Sequence, residues 1–273
     1  LLAPTMSKHL GQSVVVDSMT GASGLIALEH IAKRAPADGY SLVITSQLVT
    51  YPVFVKDLRF DPIKDLVPVA TLVEGASLLA APGAAPFDDY AGMVSYAKAN
   101  PGKLNFGSSG LQSQTSLSLE AIKQNHGIQI VNVPYQGAGQ YMPALIANDI
   151  QLAFYGEFRA VTDARDKKIK VLAVSGDRRV ASFPEVPTFV ELGIPGIQNY
   201  WYAIMASAAT PRSILDRLNA ATLAALQAPE VKEFAAKSGL YLTGASPEIS
   251  LKRISDEAAL IADIAKKAGI QPQ

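Results

Sequence analysis

Not one cysteine occurs among the 273 residues, which excludes disulfides, thiolate zinc sites and thiol catalysis. Charge of neither sign predominates, since 24 Lys and Arg balance 24 Asp and Glu, and no basic stripe gathers locally. A nucleic acid, which needs clustered cations in exchange for its counterions, is therefore not an expected partner. No apolar run approaches the roughly 18 to 20 residues of a membrane helix, and no lysine-led signal peptide begins the chain. Histidine is scarce: His9 and His30 fall on helical faces, His126 precedes a turn glycine, and none forms an i, i+4 pair with another ligand. No metal and no cofactor are expected. Neither G-x-x-x-x-G-K-[ST] nor G-x-G-x-x-G occurs.

What is present is apolar and evenly patterned. With 49% hydrophobic residues, the chain has material for one large or two medium α/β domains. Leu1 to Gly11 carries apolar residues at helical spacing and ends on a glycine suited to a C-cap. Nothing in the sequence starts this helix, so the expectation is that sequence precedes it and that an export signal lay there. Ser13 to Val16 predicts a buried β-branched strand, Asp17 to Gly24 a loop, and Leu25, Leu28, Ile31 and Ala32 the apolar face of a helix. A strand over Tyr40 to Thr45 completes a βαβ pattern.

The alternation continues with helix Tyr90 to Ala99, strand Leu104 to Phe106, helix Leu117 to Lys123 and strand Ile130 to Val133. Helix Tyr141 to Ala147, strand Leu152 to Tyr155, helix Phe158 to Asp166 and strand Ile169 to Ser175 follow. Thr210-Pro211 and Ser246-Pro247 each predict an N-cap followed by proline at the first helical position, opening helices to about Gln227 and Ala268. The cluster Ala81 to Pro86 and the strand-like Tyr200 to Met205 mark two crossings between lobes: 1–80 with 203–273, and 81–202. A cleft would lie between them.

Phe106-Gly107-Ser108-Ser109-Gly110-Leu111-Gln112-Ser113-Gln114-Thr115-Ser116 directly follows a strand and leads into a helix. Backbone N–H groups, several hydroxyls and the positive end of a helix dipole converge there, which is what an anion needs. The segment reads as a carboxylate cradle; helix capping by Ser108 and Ser109 without a ligand is the plainer alternative. A serine hydrolase is the runner-up, but the G-x-S-x-G spacing is missing and no histidine is placed as a base, so no catalytic residue is assigned. A ligand-sensing module of a transcription regulator is a third class, and no basic helix-turn-helix supports it.

Several segments in order carry a resemblance. Gly11 to Val16, Ala35 to Leu42, Asp61 to Val69, Pro101 to Gly110, Val133 to Ala138, Phe183 to Thr188, Gly193 to Gly196 and Tyr200 to Tyr202 together resemble the tripartite tricarboxylate transporter substrate-binding proteins, also called Bug proteins. The resemblance runs from Leu10 to about Gly269. It implies a type II periplasmic binding fold, two α/β lobes with mixed sheets joined by two crossing strands and hinged around one ligand. It also implies a periplasmic monomer that delivers a small organic carboxylate to membrane permease subunits, and a family pattern with an opening strand and glycine-rich loop ahead of the point where this chain begins.

Site residues implied by the matching loops are Gly21, Ala22 and Ser23; Thr45, Ser46 and Gln47; Ser108, Ser109, Gln112, Ser113 and Thr115 within the stretch Ser108 to Ser116; Tyr135, Gly137 and Ala138; and Tyr155 and Gly156. Where amino-acid-binding relatives carry an aspartate for the ligand ammonium, this chain has Tyr155, whose phenol titrates near pH ~10 and cannot neutralise it. That departure disfavours an amino acid, and the uncharged loops with tyrosines nearby favour a dicarboxylate or an aromatic acid. Arg159, a short helical step beyond, has two readings: a two-pronged contact to a distal carboxylate, or an (i, i+4) ion pair with Asp163.

Overall fold

The computed structural model describes the chain apart from residues 20–23, 47, 112, 195, 268 and 273. It divides into two compact units, Leu1–Glu74 with Trp201–Ala259 and Pro272–Gln273, and Gly75–Tyr200 with Leu260–Gln271.

The first unit is built on a four-stranded sheet in the order β1 (Val43–Thr45), β8 (Tyr200–Ser207), β2 (Leu66–Gly75), β9 (Leu240–Ala245). β1 pairs antiparallel with β8, Ile44 opposite Ile204. Helices α1 (Leu2–Leu10), α8 (Arg212–Leu226) and α9 (Pro229–Lys237) supply Met6, Leu215, Leu218, Leu226 and Val231 to a core that meets Val69, Leu72 and Ile204 of the sheet. α1 ends as expected on Gly11, whose positive φ lets its N–H return to Ser7 O. α10 (Pro247–Lys267) is tied to β2 by Ser250, whose hydroxyl oxygen accepts from both Thr71 N and Thr71 Oγ1. α2 (Leu25–Glu29) passes into a π-helical turn, His30–Arg34, and buries Leu28 and Ile31; α3 (Tyr51–Phe54) is a single turn.

Three sequence expectations fail in this unit. Ser13 to Val16 forms no strand, and Val15 and Val16 are 81% and 82% exposed. β-Branched composition favours an extended chain, but a strand also needs a ladder partner, and none pairs with it among the described residues. The strand over Tyr40 to Thr45 shrinks to Val43–Thr45. Thr210 is not the cap: α8 starts one residue later with Pro211 at the N-cap position and no side-chain cap bond. α9 and β9 were not anticipated; β9 is half-buried, lies at a sheet edge and carries Gly244 at φ +52°, which weakens its pattern.

The second unit carries the sheet β5 (Ile130–Pro134), β4 (Leu104–Ser108), β6 (Leu152–Gly156), β3 (Ser77–Pro82), β7 (Ile169–Val174). β4 is parallel to β5 and to β6, whereas β3 is antiparallel to β6 and β7. The carboxyl ends of β4, β5, β6 and β7 therefore share one edge. From that edge α5 (Gln114–His126), α6 (Ala138–Ile146) and α7 (Glu157–Arg165) start, so three helix N-termini lie along it.

Strand alternation sends Phe154 and Tyr155 to opposite faces. On one, Phe106, Phe154, Phe189, Tyr90 of α4 (Tyr90–Ala99) and His126 form a run of ring contacts with centroids 5.5–6.0 Å apart. On the other, Tyr155, Leu78, Ala80 and Ala153 pack on Tyr141, Leu145 and Ile150. Gly107 permits the close approach of α6 to β4, since a Cβ there would lie 2.3 Å from Ile150 Cδ1 and 3.0 Å from Tyr141 Cβ.

Candidate functional site

Of the predicted site residues, Ser108, Ser109, Ser113, Thr115, Tyr135, Gly137, Ala138, Tyr155, Gly156 and Arg159 belong to the second unit, at or just beyond the shared strand edge. Thr45 ends β1 in the first unit, and Ser46 follows it. Gly21, Ala22, Ser23, Gln47 and Gln112 lie outside the described residues.

The loop between β4 and α5 is held by its own hydroxyls. Ser113, not Ser108 or Ser109, is the N-cap of α5, and its Oγ accepts from Ser116 N. Ser113 and Ser116 both donate to the carbonyl of Gly110, at 2.6 and 2.7 Å, and Ser108 adds a longer bond of 3.3 Å to the same oxygen. Ser108, Ser113 and Ser116 are 0%, 3% and 4% exposed. Thr115 Oγ1 lies 2.8 Å from Ser113 Oγ, accepts from Ser109 N at 3.1 Å and sits 3.2 Å from Ser109 Oγ. Behind the loop, Asn132 of β5 donates from Nδ2 to Ser116 Oγ at 2.9 Å.

The neighbouring loops reach the same edge. Tyr135 N donates to Ser108 O at 2.9 Å, which fixes the β5 loop beside the β4 loop, and the Tyr135 ring stands edge-on to Tyr141. Gly137, at φ +131°, is the N-cap of α6, and Ala138 is that helix's first residue. Gly156 is the N-cap of α7. The Tyr155 ring is buried in the core, where its hydroxyl donates to Met142 O at 3.2 Å; burial pushes the phenol well above its ordinary range, with the charge of Asp163 adding to the effect.

Arg159 makes the ion pair its helical spacing allows, Nε to Asp163 Oδ2 at 2.6 Å. The Asp163 side chain is 1% exposed, and its other oxygen has no partner among the described residues. Arg159→Ala is expected to cost about 1–3 kcal/mol by leaving a buried acceptor unsatisfied. Urea denaturation checks the cost; unchanged stability with weakened ligand binding would instead assign the guanidinium to the ligand.

Sequence reasoning did not single out Ser175 or Asn199, and it placed Glu157 only at the end of the Tyr155 to Glu157 loop. Ser175, one residue beyond β7, accepts from Ser77 N and donates to Asn199 Oδ1 at 2.6 Å. Glu157, the first residue of α7, is buried and accepts from the Ser182 hydroxyl. Tyr200, the first residue of β8, places its hydroxyl against Gly75 and Gly156, where a Cβ would lie 2.4 and 3.5 Å from it. The signal available beforehand was positional: each of these residues is within two or three of a strand end. Among the described residues, no three His, Asp or Glu side chains gather as a metal site.

These parts define a type II periplasmic binding fold with an anion-compatible edge of loops and helix N-termini. The chain belongs to the tripartite tricarboxylate transporter family receptors, whose family model matches residues 1–270. It is 31% identical over 271 residues to a UPF0065 protein of Bordetella pertussis, covering 98% of this chain and 83% of that one. Among solved structures it is similar to Rpa4515 of R. palustris with adipate, at TM-score 0.86 and 30% identity over 100% of this chain and 92% of that one. MatC from Rhodopseudomonas palustris with bound malate matches at TM-score 0.84 and 27% identity, covering 97% and 92%. The family is one of periplasmic solute-binding receptors, and among the described residues no helix is long and apolar enough to cross a membrane.

Proposed function

We propose that this chain is a periplasmic receptor that binds a small organic carboxylate, a dicarboxylate or an aromatic acid, and hands it to the permease of a tripartite tricarboxylate transporter. The observation that carries the reading is the shared strand edge of the second unit. Three helix N-termini and glycine- and hydroxyl-containing loops converge there, and Arg159 beside them is already paired with Asp163. Preorganised amides and helix dipoles favour an anion without a dedicated cation.

The adipate and malate complexes of the two similar proteins support the carboxylate class. Tyr155, in place of a carboxylate that would pair with an ammonium, supports a ligand without an amino group. The proposed contacts are the loops at Ser108 to Thr115, Tyr135 to Ala138 and Tyr155 to Gly156, together with Thr45 and Ser46 and the undescribed Gly21 to Ser23, Gln47 and Gln112. Arg159 serves the fold through Asp163.

A thermal-shift panel of aliphatic diacids, hydroxy diacids, tricarboxylates, aromatic acids and amino acids tests this. An acid at 100 times its dissociation constant is expected to stabilise the fold by about 2.7 kcal/mol. Binding should be saturable and stoichiometric, with the acid recovered unchanged. A folded protein that responds to amino acids alone, or to none of the acids, would refute the reading.

A further inference from the structure

We infer that Ser116 is a positioning residue for the ligand: with Ser113 it holds the Gly110 carbonyl inward, and the Gly110–Leu111 peptide thereby presents the Leu111 N–H to the bound carboxylate. The inference rests on the carboxylate reading above and assigns the inner hydroxyls of the loop a role other than ligand contact.

A carbonyl oxygen offers two lone pairs, and the short bonds to that of Gly110 come from Ser113 Oγ at 2.6 Å and Ser116 Oγ at 2.7 Å, with Ser108 Oγ and Ser113 N farther off at 3.3 Å. Ser113 and Ser116 each have one hydroxyl proton, and that proton is engaged. Ser116 is set in this orientation from behind, because Asn132 Nδ2 donates to its oxygen and leaves the proton for the carbonyl. With the Ser113 proton also engaged, the 2.8 Å contact between Ser113 and Thr115 takes its proton from Thr115. Ser113 and Ser116 are buried besides. Neither offers a donor to a solute.

The peptide plane transmits this arrangement outward. In a trans peptide the C=O and the following N–H point in opposite directions. Pinning the Gly110 oxygen against the start of α5 turns the Leu111 N–H away from the hydroxyls, on a residue that is 60% exposed and whose N–H has no acceptor among the described residues. Gly110 sits at φ +119°, in open space where a Cβ would meet nothing within 4 Å. The glycine is needed for its backbone conformation and not for room. By the same count Thr115 has given its proton to Ser113, so the 3.2 Å contact between Ser109 and Thr115 takes its proton from Ser109, and the Leu111 amide is the donor that faces outward.

The test titrates wild type, Ser116→Ala, Ser116→Thr and Gly110→Ala with adipate, malate, citrate and benzoate by calorimetry, and follows the Leu111 amide in proton–nitrogen correlation spectra with the tightest-binding acid. Saturation of wild type is expected to move the Leu111 amide proton downfield. Ser116→Ala should stay folded, lose about tenfold in affinity and show a smaller Leu111 shift, whereas Ser116→Thr keeps the hydroxyl and restores both. Gly110→Ala should lose affinity in the same way through its backbone angle alone, and it carries the test if Ser116→Ala does not fold. Affinities within about twofold of wild type in the folded variants, or an unmoved Leu111 amide in saturated wild type, would overturn the positioning role while leaving the receptor reading intact. Wild type that binds none of the four acids would overturn both.

Discussion

Trp201→Ala is expected to destabilise the first unit by about 3–5 kcal/mol, the range for truncating a large buried aromatic. Trp201 is 1% exposed and is the single tryptophan of the chain. It does more than fill space: its indole N–H donates to Glu257, and the Arg253 guanidinium lies 5.9 Å from its ring centroid while also bonding Glu74. Removing the indole deprives a buried carboxylate of a donor in addition to opening a cavity. Urea unfolding followed by far-UV circular dichroism measures the loss, and a change below about 1 kcal/mol would contradict the account.

The same cluster has a pH dependence with a definite sign. Burial pushes the Glu257 carboxyl above its ordinary value, against the opposing effects of the Trp201 bond and the charge of Arg253. A carboxyl raised in the folded state contributes stability below its unfolded pKa, and that contribution is lost as pH rises through the folded value. Glu257→Gln keeps an acceptor for the indole and removes the titration. Its stability, read from tryptophan fluorescence, should therefore vary less than wild type on going from acid to neutral pH.

Phe106→Ala is the counterpart in the second unit, with an expected cost of about 3–5 kcal/mol. Phe106 is fully buried in β4, and its ring meets Phe154 edge-on at 5.7 Å. Phe106→Leu, which keeps most of the volume, should cost well under half as much. β4 leads directly into the loop that ends at Ser113, so the alanine variant should also weaken carboxylate binding. Equal stability losses for the two variants would show that the site tolerates a cavity and that packing at Phe106 does not support the loop.

The second unit was largely legible in the sequence. Tyr90–Ala99 agrees with the expected helix residue for residue, and β4 to β7 with α5 to α7 fall within a few residues of expectation. Their apolar periodicity is strong because both faces of the sheet are covered. The first unit was harder to read. Ser13 to Val16 has a strand's composition without a strand's partner, and β9 has the partner without a strong pattern.

By itself, the sequence determined the α/β class and the family and pointed to the stretch proposed to hold an anion, because glycine spacing, strand composition and helix starts are local properties. Tertiary structure decided which groups in that stretch remain available. Ser108, Ser109, Ser113 and Ser116 are chemically identical in the sequence, yet two of them spend their protons mainly on the Gly110 carbonyl, Ser108 is sealed in the core, and Ser109 stays partly open. Arg159 was compatible with a ligand or with Asp163 until the fold placed that carboxylate in the interior beside it. The physical reason is common to these cases: a hydrogen bond or ion pair is directional and short-ranged, so its partner is chosen by distances of a few tenths of an ångström that only the folded backbone sets.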